Sequence, residues 1–215
     1  MNDTERKTSW QISKYQTNKK LVELVDKLKA TTPENAPHIH AGKCKEMTED
    51  GKRLISCIGI KLLDYSAGTG DKTVSVDANV LPGQCEWIYA ALWRGDKEFK
   101  LEQEKIVSSV KDAAGLSPVT KLIIARAATG NDGKPRNYPW YLKVENGTGI
   151  AEKTGTGGFM IKKGSYKQTG QAYININDAD MFALMHETHS YISVWELKTG
   201  WELLRQRQEI QQNAA

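Results

Sequence analysis

Val74, Val76, Ala78 and Val80 alternate with polar residues and run into Pro82, after which Trp87, Ile88, Ala91 and Leu92 recur at helical spacing. A period of two puts alternate side chains on one face of a strand, whereas a period near 3.6 draws an apolar stripe along a helix. Pro82 suits the first helical turn, where its missing N–H is not needed. The segment TVSVDANVLPGQCEWIYAALW is therefore a strand running directly into a helix. QAYININDADMFALMHETHSY repeats that order near the other end of the chain. A chain that makes this transition twice is held to an α+β class, with antiparallel sheets each followed by a helix and two β-block-plus-helix halves related by a weak internal repeat of pattern.

The remaining segments fill in the blocks. RLISCIGIKLLD, Arg53 to Asp64, is apolar and β-branched and faces the Val74–Val80 strand across the turn AGTGD. EFKLEQEKIV reads as a further strand. Beyond AAGLSP, the runs VTKLIIARA, PWYLKVEN, GGFMIKKG and QAYININ predict an antiparallel meander, separated by Gly, Asn and Pro clusters. Asn177 is placed to cap the next helix with Asp178 and Asp180 near its positive end, and Met181, Leu184, Met185, Thr188, Ile192 and Trp195 form its buried stripe. ELKTGWELLRQRQEIQQ predicts a second helix after Gly200. At the other terminus Leu21, Val22, Leu24, Val25 and Leu28 predict an extra helix near residues 15–30, ended by TTPENAPHIHAGKC. The expected organisation is an N-terminal helix and linker over 1–51, an α+β core over 52–195 with halves of about 52–110 and 118–195, and a C-terminal helical tail over 196–215.

With 215 residues, 39% of them hydrophobic and 26% charged, the chain has the composition of a folded domain and not of a disordered one. Three cysteines, Cys44, Cys57 and Cys85, make no even disulfide framework, which points to a reducing compartment. The polar N-terminus carries no export signal, and no run of about 18 apolar residues occurs. The expectation is a cytoplasmic protein without a membrane span.

Net charge is only +4, so any case for a polyanionic partner rests on distribution. Between Lys134 and Ile176 lie seven cations against two anions, interleaved with Tyr138, Trp140, Tyr141, Phe159, Tyr166 and Tyr173. Aromatic faces stack bases and cations neutralise phosphates, a combination suited to single strands. Alternation along PWYLKVEN sends Trp140, Leu142 and Val144 to the core and Tyr141, Lys143 and Glu145 to solvent. The predicted contacts are Arg136, Lys143, Lys162, Lys163 and Lys167 to phosphates and Tyr141, Phe159 and Tyr166 to bases.

Other constellations read more plainly. NGTG and TGTGG lack the following helix of a dinucleotide or phosphate loop and read as hairpin loops. His186 and His189 in HETH are three apart where a zincin needs four, and HIHAGKC has no evident fourth ligand, so both read as ordinary polar residues. Asp178 and Asp180 read as helix-capping groups, and Cys57 and Cys85 as small core residues. No Cys–His or Ser–His–Asp set assembles, and neither metal nor cofactor is expected.

The twofold order of β block and helix, with basic and aromatic strands across Arg53–Trp195, resembles the Whirly single-stranded-DNA-binding architecture. That resemblance implies DNA laid across the sheets, bases stacked on exposed aromatics, and oligomers assembled through the helices. The leading expectation is a non-catalytic binder of single-stranded DNA or RNA with low sequence specificity, and possible homo-oligomerisation. Two alternatives stand beside it: a phage or mobile-element interaction module presenting its basic surface to a protein, and a metal-dependent hydrolase using His186, Glu187 and His189.

Overall fold

Thr17 begins the first reversal of the chain, its hydroxyl accepting from Lys20 N at 3.0 Å, and so joins strand β1 (Gln11–Gln16) to β2 (Lys20–Lys27). The computed structural model describes residues 10–213, apart from 43, 49, 50 and 52. In chain order the further elements are β3 (Cys57–Asp64), β4 (Val74–Val80), α1 (Pro82–Arg94), β5 (Glu98–Ile106), β6 (Ser117–Ala127), β7 (Trp140–Gly149), β8 (Ala151–Lys153), β9 (Phe159–Ile161), β10 (Lys167–Ile176) and α2 (Asp178–Asn213). The first sheet has the order β1-β2-β3-β4 and the second β10-β7-β6-β5, both antiparallel, while β8 and β9 make a separate two-stranded ribbon.

The transition from β4 to α1 follows the sequence closely. Pro82 opens the helix, the Gln84 side chain accepts from Leu81 N at 2.9 Å, and Gly95 closes it in the left-handed region at φ 66°. Glycine meets no Cβ penalty there, and the Asp96 N–H reaches back to Ala91 O at 3.0 Å. At the second transition Asn177 Oδ1 accepts from Asp180 N at 2.8 Å, and Asn177 Nδ2 donates to Asp180 Oδ2 at 2.7 Å. Asp178, at the first helical position, holds Arg126 with both carboxylate oxygens at 2.9 Å and accepts from Trp140 Nε1 at 2.8 Å. Strand β6, strand β7 and helix α2 are thereby fastened at one point.

Inward residues of both sheets and both helices meet in one core. Val22, Leu24, Ile58, Ile60, Leu62, Val76 and Val80 come from the first sheet, and Leu122, Ile124, Trp140, Leu142, Val144 and Ile174 from the second. Ile88 from α1 and Met181, Leu184, Met185 and Ile192 from α2 close it. Each large side chain removed from water contributes about 1.5–3 kcal/mol. The outward backbone groups of β4, an edge strand, are covered by side chains of the second sheet. Asn146 exchanges bonds of 2.8 Å with both Asp77 N and Asp77 O, and Gln103 and Lys105 donate to Asn79 O. An edge satisfied in this way offers no ladder to another chain.

Four sequence expectations are corrected. The helix expected near residues 15–30 is the β1–β2 hairpin, so the first sheet begins at Gln11 and not near residue 52. Adjacent apolar pairs such as Leu21–Val22 and Leu24–Val25 fit either period. Because β2 lies inside the sheet it covers apolar groups on both faces: Val22 and Leu24 enter the core, while Val25 crosses over Gly59, where a Cβ would lie 2.6 Å from Val25 Cγ2. NGTG is not a loop but the end of β7. A Cβ on Gly147 would stand 2.3 Å from Lys167 O and 2.6 Å from the Tyr166 ring, so glycine there permits close strand approach.

GGFMIKKG contributes β9 to the small ribbon and does not join the meander, and β10 pairs directly with β7. Its Phe159 and Met160 are adjacent and both exposed, a pattern with no buried face to pin it into the main sheet. The last correction concerns Gly200, which lies within α2, a single helix of 36 residues. The segment read as a linker supplies the docking surface that keeps the helix continuous. Ile39 packs where a Gly200 side chain would be, His40 stacks on Trp195 at 5.1 Å and bonds Glu196 at 2.8 Å, and Arg207 donates to Ala36 O. Among the described residues no helix is long and apolar enough to cross a membrane.

Candidate nucleic-acid interface

Strand β7 is the spine of the surface. Trp140, Leu142 and Val144 are within 2% of full burial, and the intervening Tyr141, Lys143 and Glu145 look outward but stay largely covered, Lys143 and Glu145 with 24% and 18% of their side chains exposed. On the neighbouring edge strand, register sets Tyr173 opposite Lys143, and its ring lies 5.7 Å from that of Tyr141. Lys20 arrives from the first sheet, with Nζ 3.5 Å over the Tyr173 ring, 2.8 Å from Tyr173 O and 3.2 Å from Asp64. Tyr166 lies farther along β7, its hydroxyl 3.4 Å from Glu145 and its ring beneath Lys121 Nζ at 4.2 Å. Burial first, and then the Glu145 charge, push the Tyr166 phenol up to about 12.

Beyond β7 the ribbon of β8 and β9 projects. Phe159, 51% exposed, pairs across it with Lys153, and Lys162 and Lys163 follow on the same arm. The turn is TGTGG, closed by Thr154 N to Gly158 O at 2.9 Å, with Gly157 at φ 85°. Lys167 starts β10 beside this end of the sheet, opposite Thr148. Arg136 lies at the other end, in the loop before Trp140, its amide bonded to Ala128 O. At about 3.3 Å per residue, the ten residues of β7 separate the two ends by roughly 30 Å.

Charge divides the surface. On the outer face of the second sheet Lys143 pairs with Glu145 at 2.5 Å, Lys121 with Glu104 at 2.8 Å and Lys100 with Glu102 at 2.5 Å. Residues of these pairs line a shallow cleft of about 250 Å³. The hydrogen bond to Glu145 raises the Lys143 pKa, holding the ammonium charged but committed. By contrast, among the described residues Lys153, Lys162, Lys163 and Lys167 have no carboxylate partner, and neither has Arg136. Within the Lys134–Ile176 segment, the cations without a carboxylate partner among the described residues therefore lie at the ribbon end, with Arg136 at the far end of the strand.

Of the residues predicted from sequence, Tyr141, Lys143 and Tyr166 come together on the outer sheet face. Phe159, Lys162, Lys163 and Lys167 gather at the ribbon end, and Arg136 stands apart. Sequence reasoning passed over Tyr173 as a site residue, although the inward phase of Ala172, Ile174 and Ile176 turns Tyr173 to solvent. It had no signal for Lys20, 153 positions away in the chain.

His186 Nδ1 is bonded to Tyr89 Oη at 2.9 Å and His189 Nδ1 to Glu86 at 2.7 Å, so these imidazoles join α2 to α1. His40 is bonded to Ser56 and Glu196 at 2.9 and 2.8 Å. Among the described residues no three His, Cys, Asp or Glu are grouped to hold a metal ion. Comparison with family models, with curated proteins and with solved structures gave no match to this chain.

Proposed function

We propose that the chain is a non-catalytic nucleic-acid-binding protein that takes single strands with little sequence specificity. The observation that carries this reading is the ribbon, where an exposed Phe159 lies across from Lys153 and is followed by Lys162 and Lys163, none of them paired among the described residues. A ring beside free ammonium groups stacks a base while its neighbours meet phosphates, and stacking on an aromatic face is worth about 1–3 kcal/mol per base. From the ribbon the strand would run along β7 over Tyr166, Tyr141 and Tyr173 toward Arg136. The order β1 to β4 then α1, followed by β5, β6, β7 and β10 then α2, supports reading the blocks as halves of like topology, in keeping with the Whirly resemblance.

Fluorescence anisotropy with labelled single-stranded and duplex oligonucleotides over a salt series tests this. Four phosphate contacts at the ribbon end give a slope of log K against log salt of about −3 for a single strand. Binding with no salt dependence, or none in dilute buffer, overturns the reading. The ion-paired outer face favours a second reading, a protein partner, because its balanced charges and shallow cleft suit a surface that is itself mixed in sign. Recovery of one stoichiometric protein after nuclease treatment would select it.

A further inference from the structure

The chain before β3, the first turn of α1 and helix α2 converge around a recess of about 460 Å³. Small-molecule sites commonly enclose about 300–1,000 Å³. Two large apolar side chains in its lining, Ile55 and Leu81, are left 48% and 47% exposed. The polar lining includes His40, Ser56, Glu86 and Glu196.

The hydrogen bonds of this lining do not balance. Ser56, 1% exposed, accepts from Lys29 N at 3.0 Å, so its own proton goes to His40 Nδ1 at 2.9 Å. The imidazole N–H is then at Nε2, where it donates to Glu196 Oε1 at 2.8 Å and holds that carboxylate in place. Glu86 Oε2 accepts from His189 Nδ1 at 2.7 Å. The Glu86 side chain as a whole is 40% exposed, yet its Oε1 is buried and has no partner among the described residues. Folded proteins rarely leave such an atom unsatisfied, because a buried acceptor without a donor is costly. The α1 side of the recess has few donors to offer. Pro82 has no N–H, Gln84 Oε1 covers Leu81 N, and Gln84 N and Cys85 N turn back to Leu81 O, which leaves the peptide N–H of Gly83. Among the described residues no lysine or arginine lines the recess, and the Arg53 guanidinium is bonded to Gly42 O at 3.1 Å.

We propose that the recess binds a small organic amine in its ammonium form, the charged end donating to Glu86 Oε1 and the apolar body covering Ile55 and Leu81. Glu196 lies seven residues beyond His189, about 10 Å along the same face of α2, and adds a second negative charge to the lining. An anion would meet two carboxylates, and a body without N–H groups would leave Glu86 Oε1 unsatisfied, so charge and hydrogen bonding select one ligand class. Tyr141, Lys143 and the β8–β9 ribbon take no part in the lining, and the inference stands whatever they bind.

Amide shifts of the full chain, followed in two-dimensional nitrogen–proton spectra, read affinity and place together. Phenethylamine, 2-phenylethanol and phenylacetate carry one ring on a two-carbon chain and differ in charge. Phenethylamine should bind with a dissociation constant below about 1 mM and shift Ala41, Gly42, Ser56 and Gly83, with the alcohol and the acid at least about tenfold weaker. Glu86→Gln keeps an oxygen for His189 and should weaken the amine about tenfold, more than Glu196→Gln does. Should Glu86→Gln disturb the fold, Gly83→Leu is read instead: a Cβ there meets no atom within 4 Å, so the added side chain narrows the recess without a clash and must weaken the amine. Alcohol that binds as well as amine overturns the proposal, as does an affinity that these substitutions leave unchanged. So do shifts confined to other parts of the chain, or none at about 10 mM phenethylamine.

Discussion

Replacing Asp178 by Ala removes one carboxylate from three elements at once. Its oxygens accept two bonds from Arg126 and one from Trp140 Nε1, and Trp140 is 1% exposed. The indole N–H then loses its acceptor, and an unsatisfied buried donor costs about 1–3 kcal/mol. The Arg126 guanidinium, 13% exposed, keeps Asp96 O at 2.6 Å, and because Asp178 is 53% exposed its ion pair adds no more than about 1 kcal/mol. The expected loss is about 3 kcal/mol, a shift near 1 M in the urea midpoint for a slope of about 3 kcal/mol per M. Asp178→Asn keeps an oxygen for Trp140 and Arg126 Nε but loses the charge and the bond to Arg126 Nη2, both at an exposed ion pair, so its loss should be about 1 kcal/mol. Urea titrations by far-ultraviolet circular dichroism at neutral pH measure both. Equal losses for the two variants, or a loss below about 1 kcal/mol for Ala, would refute the assignment of the main cost to the indole.

The same carboxyl sets part of the acid stability. Arg126 and Trp140 hold its pKa below the ordinary aspartate range, so its contribution is complete above that range and is lost as pH falls through the lower folded-state value. Asp178→Asn should flatten that acid limb in a pH series of urea midpoints. At the alkaline end the sign reverses. Tyr166, pushed up to about 12, holds its proton in the folded state after the unfolded phenol has lost it, so stability declines from about pH 10 toward 12. Tyr166→Phe should make that decline shallower. Gly147→Ala sets a methyl against the Lys167 carbonyl at the β7–β10 seam, and the chain should lose its cooperative thermal transition or unfold at markedly lower temperature. Lys162→Ala with Lys163→Ala should reduce the salt slope of oligonucleotide binding by about 1.4, at about 0.7 per lost phosphate contact, and leave the urea midpoint unchanged.

What the residues declare alone is local. Alternation in Val74–Val80 and in Gln171–Ile176, the switch of period at Pro82, and the capping oxygens of Asn177 all act within a few positions, and each is realised where the periods place it. The inward phase of Trp140, Leu142 and Val144 was equally legible, since a strand has only two faces. Where the apolar spacing fits two periods, as at Leu21 to Val25, the partner strands decide. β1 and β3 give this segment a place in a sheet and two faces to cover, and the helix does not form. Gly147 and Gly200 are breakers by composition but sit inside a strand and a helix: the Lys167 backbone comes close enough to Gly147 to make a side chain costly, and Ile39 packs against the helix at Gly200.

The surface divides along the same line. Sequence located the cations and rings between Lys134 and Ile176, because composition is a property of the chain. Which cations are free is a property of pairing across strands. Glu145, Glu104 and Glu102 take up Lys143, Lys121 and Lys100, while Lys153, Lys162 and Lys163, on and beside the separate ribbon of β8 and β9, form no ion pair among the described residues even with Glu152 on β8. Lys20 joins Tyr173 only because the two sheets pack together. Periodicity fixes the elements, since it depends on near neighbours. The outer face of the second sheet is fixed by register and packing, which bring together residues whose separation in the chain leaves no trace in the sequence.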